Sequence, residues 1–234
     1  MFSRQQQALA DRLWAVGAIM DRHRSTSGKG FKLKLHEREP DAPLSPIYLN
    51  LRTPDNPKPG PLGRGEVVMV ALALWDILKG FSPMTRMDHV LGIPRAGEPF
   101  ADTLWGIALS SSTIPLGLLH LNKVDDTGGG SRKIGDDLVG TFEAGQSALL
   151  VDDLVTHADS KVEAASSLRQ KGVSVGHVMV LVDRSQGGRQ ALAKHDLELH
   201  SVFTLPQLLL YYRERDVLDR ETYHEIVEYL EANG

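Results

Sequence analysis

A chain of 234 residues, 41% apolar and 24% charged, has room for one α/β domain with a well-buried core. Its net charge of −4 argues against bulk capture of a nucleic-acid backbone, yet leaves space for a local basic pocket that takes a phosphorylated metabolite. It has no cysteine, which excludes disulfides, thiolate catalysis and zinc–thiolate sites. No apolar run approaches the ~20 residues that span a bilayer. Met1 to Asp11 is polar, without the apolar core of a signal peptide, so a cytoplasmic protein that avoids membranes is expected.

In chain order, Gln6 to Met20 places Leu9, Leu13, Val16 and Met20 on one helical face and predicts an amphipathic helix. Phe31 to Leu35 alternates apolar and basic residues like a short strand, and Ile47 to Leu51 reads as a second. Thr53 to Gly63 holds four prolines and two glycines and is a loop or lid. Glu66 to Lys79 is an apolar helix stopped by Gly80. A regular alternation follows. Strands are expected at His89–Ile93, Ile114–Leu119, Ala148–Val151, Val175–Val182 and Leu197–Phe203. Helices are expected at Pro99–Leu109, Ser160–Gln170, Gly188–Lys194, Pro206–Glu214 and Arg220–Glu231. Asn122 to Asp137 is polar and glycine-rich and reads as a mobile loop. Short apolar strands alternating with helices imply a mainly parallel sheet flanked by helices. A single domain over residues 1–234 is the simplest division, with a small N-terminal hood from about residue 1 to 62 plus C-terminal elements.

One segment concentrates the chemistry. The apolar strand Ala148–Val151 runs into Asp152-Asp153, then a turn through Thr156, then a helix. Ligands of open parallel sheets sit at the carboxyl ends of strands. Adjacent carboxylates there accept hydrogen bonds from vicinal hydroxyls or help hold a hydrated Mg²⁺, and a helix N-terminus suits a phosphate. Acids at a strand end also serve simply to solvate it, and the local pattern leaves both readings open. Ser160 and Glu163 fit a capping box that would start the helix at Ser160.

The segment Val151-Asp152-Asp153-Leu154-Val155-Thr156 and its turn resemble the phosphoribosyl-diphosphate (PRPP) motif of type I phosphoribosyltransferases. Four further stretches resemble orotate phosphoribosyltransferases in particular. Leu44 to Arg52, with Tyr48, is similar to the substrate-hood strand, and Gly92-Ile93-Pro94-Arg95-Ala96-Gly97-Glu98-Pro99 to the diphosphate loop. Val180 to Gly188, with Asp183-Arg184-Ser185, is similar to the orotate-contacting segment, and His200 to Leu205 to the strand after it. All are collinear. The resemblance implies a type I phosphoribosyltransferase fold, transfer of ribose 5-phosphate from PRPP to orotate, Mg²⁺ as cofactor and a homodimer. It implies ribose hydroxyl contacts for Asp152 and Asp153, which also face the metal through water. It implies a 5′-phosphate contact for Thr156, substrate-binding positions for Ser160 and Lys161, a carboxylate grip for Arg184, and base-side positions for Lys34 and Tyr48.

The resemblance breaks in three places. The phosphate turn reads Thr156-His157-Ala158-Asp159-Ser160 where the family has glycine at Ala158 and a small hydroxyl residue at Asp159. A methyl group at Ala158 is expected to hinder backbone approach to phosphate. A carboxylate at Asp159 would oppose it, by roughly 4 kcal/mol per unit charge at about 4 Å and an effective dielectric of about 20; alternatively Asp159 is an N-cap. The catalytic loop is rewritten, with Lys123 the match to the family's Arg–Lys pair, and Arg132 and Lys133 supplying charge further along, beside Asp125 and Asp126. In the diphosphate loop Arg95 stands in for a lysine at Ala96. These changes motivate a second expectation, a non-catalytic nucleotide-binding protein of the same fold.

Overall fold

The computed structural model describes residues 2–233 apart from 34–35, 37–38, 83–84, 86, 112–113 and 125–132, with backbone alone described for 122–124 and 133–136. The chain forms two compact units, residues 63–202 and residues 1–62 with 203–234.

In the smaller unit, Ser3 and Gln6 form a capping box that starts α1 (Arg4–Ala15). The helix ends earlier than its apolar spacing predicts. Gly17 takes a left-handed φ of 76° and turns the chain into β1 (Ile19–Asp21), so Met20 lies in a strand rather than on the helical face. β1 pairs antiparallel with β2 (Ile47–Leu49), Met20 opposite Tyr48. Phe31 contributes an isolated bridge to Ser45 instead of a full strand. Two helices close the unit, α6 (Leu205–Glu214) and α7 (Arg220–Ala232).

The larger unit opens with α2 (Arg64–Lys79), β3 (His89–Gly92) and α3 (Glu98–Ser111), then β4 (Gly117–Val124) and β5 (Lys133–Val139). It continues with β6 (Ser147–Val155), α4 (Asp159–Gln170), β7 (Ser174–Asp183), α5 (Gly188–Ala193) and β8 (Glu198–Thr204), whose last residues cross the unit boundary. The strands form one sheet in the order β5-β4-β3-β6-β7-β8. β3 pairs parallel with β4 and β6, and β6 with β7, whereas β4 and β5 are antiparallel. The fold is α/β with a mostly parallel sheet, as expected.

Two boundaries differ from the sequence reading. Residues 122–137, read as loop from their polarity, contribute strand at both ends, Val124 opposite Lys133. An edge pair tolerates charged residues that a central strand would not, so polarity there conceals the extended backbone. β6 also runs on through Asp152 and Asp153 to Val155. Beneath this end of the sheet, Leu91, Leu150, Val155, Ala158, Ala164, Leu168 and Val180 pack in one buried cluster.

Candidate functional site

Three turns lie side by side in the larger unit because β3, β6 and β7 are neighbours and parallel. Their carboxyl ends deliver most of the expected residues to one edge.

The turn after β3 is pressed onto β6. The Ile93 amide donates to Val151 O at 2.8 Å and the Gly97 amide to Ile93 O at 2.9 Å. A Cβ on Gly97 would lie 2.2 Å from Val151 O and 3.0 Å from Asp152 Cα, so no side chain fits there. Arg95 sits in this turn with its side chain exposed, after a cis Pro94–Arg95 peptide bond.

At the end of β6 both acids are buried, Asp152 at 4% and Asp153 at 8% exposure. Asp152 Oδ1 accepts from the Asp153 amide at 2.9 Å, and its Oδ2 is paired with Lys161 Nζ. Asp153 Oδ1 accepts from the Leu154 amide at 2.7 Å. Lys161 is itself buried and donates also to Leu154 O at 2.8 Å. The buried face of α4 explains this. Lys161, Ala164, Ala165 and Leu168 follow the i, i+3, i+4, i+7 spacing of an apolar stripe, so Lys161 faces the sheet and finds a carboxylate there. That spacing is visible in the sequence and places Lys161 inward, against Asp152.

The turn between β6 and α4 also differs from expectation. Helix α4 begins at Asp159 with Ala158 as its N-cap and no side-chain cap, so the capping box proposed for Ser160 and Glu163 does not start the helix. Ala158 is buried, belongs to the core cluster, and has a right-handed φ of −86°. Its conformation needs no glycine, and its methyl group packs inward. Asp159 is exposed in the first helical turn, where the helix dipole favours a carboxylate. Thr156 is half-buried and His157 exposed.

The turn after β7 is locked to that after β6. The Arg184 amide donates to Val155 O at 3.0 Å. A Cβ on Gly188 would come within 2.6 Å of Val155 Cγ2 and 2.9 Å of Thr156 O. Asp183 is buried; its Oδ1 accepts from the Ser185 amide at 2.8 Å, and its Oδ2 lies 3.5 Å from an Arg189 nitrogen. These contacts hold Ser185 and Gly187 at left-handed φ values of 59° and 85°. The half-buried Arg184 stands at the head of the turn. The anchoring roles of Asp183 and Arg189 were not singled out from sequence.

Arg95, Asp152, Asp153, Thr156, Ser160, Lys161 and Arg184 therefore gather on three adjacent turns. Tyr48 lies in the other compact unit, half-buried, its ring stacked on Phe31 with centroids 5.2 Å apart. Lys34 and Arg132 fall outside the described residues, and Lys123 and Lys133 are described by backbone only, in β4 and β5. The described residues offer a helix N-terminus for an anion, buried carboxylates for hydroxyl groups and a guanidinium for a second anion.

Residues 74–202, more than half of the chain, match the phosphoribosyl transferase domain. The chain belongs to the phosphoribosyltransferase family. Its fold is that of the type I phosphoribosyltransferases. It is 28% identical over 191 residues to uridine 5′-monophosphate synthase of Bos taurus, an alignment covering 81% of this chain but 36% of that protein. The chain thus spans little more than a third of that relative. It is 28% identical over 188 residues to orotate phosphoribosyltransferase of Pyrobaculum aerophilum, covering 80% of this chain and 86% of the relative. Among solved structures, orotate phosphoribosyltransferase from Aeropyrum pernix superposes with a TM-score of 0.57 at 25% identity, covering 86% of this chain and 96% of the other.

Proposed function

We propose that this chain transfers the 5-phosphoribosyl group of PRPP to orotate, giving orotidine 5′-monophosphate and diphosphate. The observation that carries the reading is the meeting of the Asp152-Asp153 strand end, the N-terminus of α4 and the Arg184 turn on three adjacent parallel strands. Relatives that bear the name orotate phosphoribosyltransferase support it over a non-catalytic binding protein.

In this reading Asp153 accepts from ribose hydroxyls, with Asp152 beside it fixed by Lys161. Thr156, Ser160 and the first amides of α4 take the 5′-phosphate. Arg184 grips the orotate carboxylate with a bidentate guanidinium, and Lys34 and Tyr48 belong to the base side. Arg95, Lys123, Arg132 and Lys133 bring positive charge to the diphosphate. The bond from C1′ to the diphosphate oxygen breaks as the ring nitrogen of orotate bonds to C1′, its proton passing to the departing diphosphate. The electron pair leaves with the diphosphate, and loop residues exclude the water that would otherwise trap an oxocarbenium-like centre. Both Asp152 oxygens already have protein partners, so the donor set suits a hydrated Mg²⁺ arriving with the diphosphate better than an ion held directly by the protein. When bound, Mg²⁺ would neutralise leaving-group charge. The proposal extends to a homodimer working in the cytoplasm.

The test is an assay of orotate with Mg²⁺-PRPP, with calorimetry of each ligand. Turnover to orotidine 5′-monophosphate is expected. Orotate binding without PRPP binding or turnover would replace the transferase by a binding protein.

A further inference from the structure

A second cluster lies away from the turns, on β7 and the edge strand β8. His177 stands on β7, and Glu198 and His200 stand two apart on β8, which puts both on the same face of that strand. His177 Nδ1 is 3.1 Å from His200 Nε2. The Glu198 carboxylate approaches both rings, 3.5 Å from His177 Nδ1 and 3.7 Å from His200 Nε2. His177 precedes Asp183 by six residues of continuous strand. At about 3.3 Å per residue that is roughly 20 Å from the turn after β7.

We propose that His177, Glu198 and His200 form a binding site for a divalent transition metal, zinc foremost. Zinc bonds of about 2.0–2.1 Å to nitrogen and oxygen place tetrahedral donors roughly 3.3–3.4 Å apart. The nitrogens of His177 and His200 are 3.1 Å apart, near that edge, and the two Glu198 oxygens lie 3.5 Å (Oε2 to His177) and 3.7 Å (Oε1 to His200) away, so a small turn of the Glu198 carboxylate brings one oxygen to both. Two imidazoles and a carboxylate select zinc and its neighbours over magnesium and calcium, which take oxygen donors. Phe81 backs the imidazoles, with ring centroids 4.5 Å from His200 and 5.2 Å from His177, and so fixes their planes. The histidine side chains are 23% and 20% exposed and that of Glu198 64%, which leaves solvent access for a fourth ligand. The nearby Arg189 opposes a cation, but its guanidinium donates to Leu199 O at 2.7 Å and leans toward Asp183. Glu198 supplies the compensating charge. Occupied, the site would clip the edge strand β8 to β7. It does not depend on the proposed transfer reaction.

The test is titration of chelator-treated, intact protein with zinc chloride by calorimetry, in millimolar Mg²⁺. One equivalent should bind with micromolar or tighter affinity and raise Tm by several degrees. Cobalt(II) in its place should give the visible absorption of a four-coordinate centre. The chain has nine histidines, so variants locate the site. Glu198→Gln, at an exposed position that folding tolerates, and His200→Gln should each weaken zinc binding at least tenfold and abolish the Tm rise. No zinc binding by the native chain, no cobalt absorption, or full affinity in both variants would overturn the proposal. In those cases the cluster is a hydrogen-bonded histidine pair only.

Discussion

The turns after β6 and β7 are assembled from the same parts: a buried strand, a buried carboxylate at or near its end, a short turn and a helix. They use their charges differently. After β7, Asp183 holds the Ser185 amide and leans on Arg189, and the backbone takes two left-handed positions. After β6, Asp152 is consumed by a buried lysine and the turn stays right-handed at Ala158. In the resemblance drawn from the sequence, the turn after β7 matches the family motif, whereas the turn after β6 keeps the acids and departs at Ala158 and Asp159. The turn after β7 is thus ordered by backbone geometry, and the turn after β6 by an ion pair inside the protein.

The largest test strikes that ion pair. Lys161→Met strands the Asp152 carboxylate in a site where both side chains are 6% exposed. Breaking such a pair costs about 3–5 kcal/mol, to be read from urea unfolding. Adding Asp152→Asn should recover part of the loss. A cost below about 1 kcal/mol would mean the pair is not what orders the turn. Next in size, Arg184→Ala should raise KM for orotate about 10- to 100-fold, the worth of a charged hydrogen-bonded contact. An unchanged KM would remove Arg184 from the base side and erase the contrast between the turns. Asp159→Ser removes an exposed like charge from the helix start and should lower KM for PRPP about 3- to 10-fold, less at high salt. The smallest effect belongs to Ala158→Gly. Its methyl already packs into the core, so stability should move by less than about 1 kcal/mol and kcat should not rise. A rise in kcat would show that the methyl does obstruct the phosphate.

The central strands were legible because full burial writes itself as apolar runs such as Ala148–Val151 and Val178–Val182. The antiparallel pair β4–β5 was only partly legible, since an edge pair accepts polar residues. The early end of α1 turned on one glycine, Gly17, whose left-handed backbone outweighs the apolar spacing beyond it. The collinear motifs marked Asp152, Asp153, Thr156 and Arg184, and the structure gathers these residues at the ends of β6 and β7. For Lys161 the motif suggests a substrate position, and only its place on the stripe of α4 reveals its inward pairing with Asp152. The His177, Glu198 and His200 cluster has no linear signature at all, as two strands separated by α5 must first align.

The contacts between the two turns are made by backbone and by glycine: the Arg184 amide on Val155 O, and Gly188 against Thr156 O. In the proposed reaction they act as a ruler. Side-chain changes can strengthen or weaken either grip, but the span from one grip to the other is fixed by main chain. An analogue whose base and phosphate are spaced one bond further apart would have to forfeit one grip, however well each end matched its own turn.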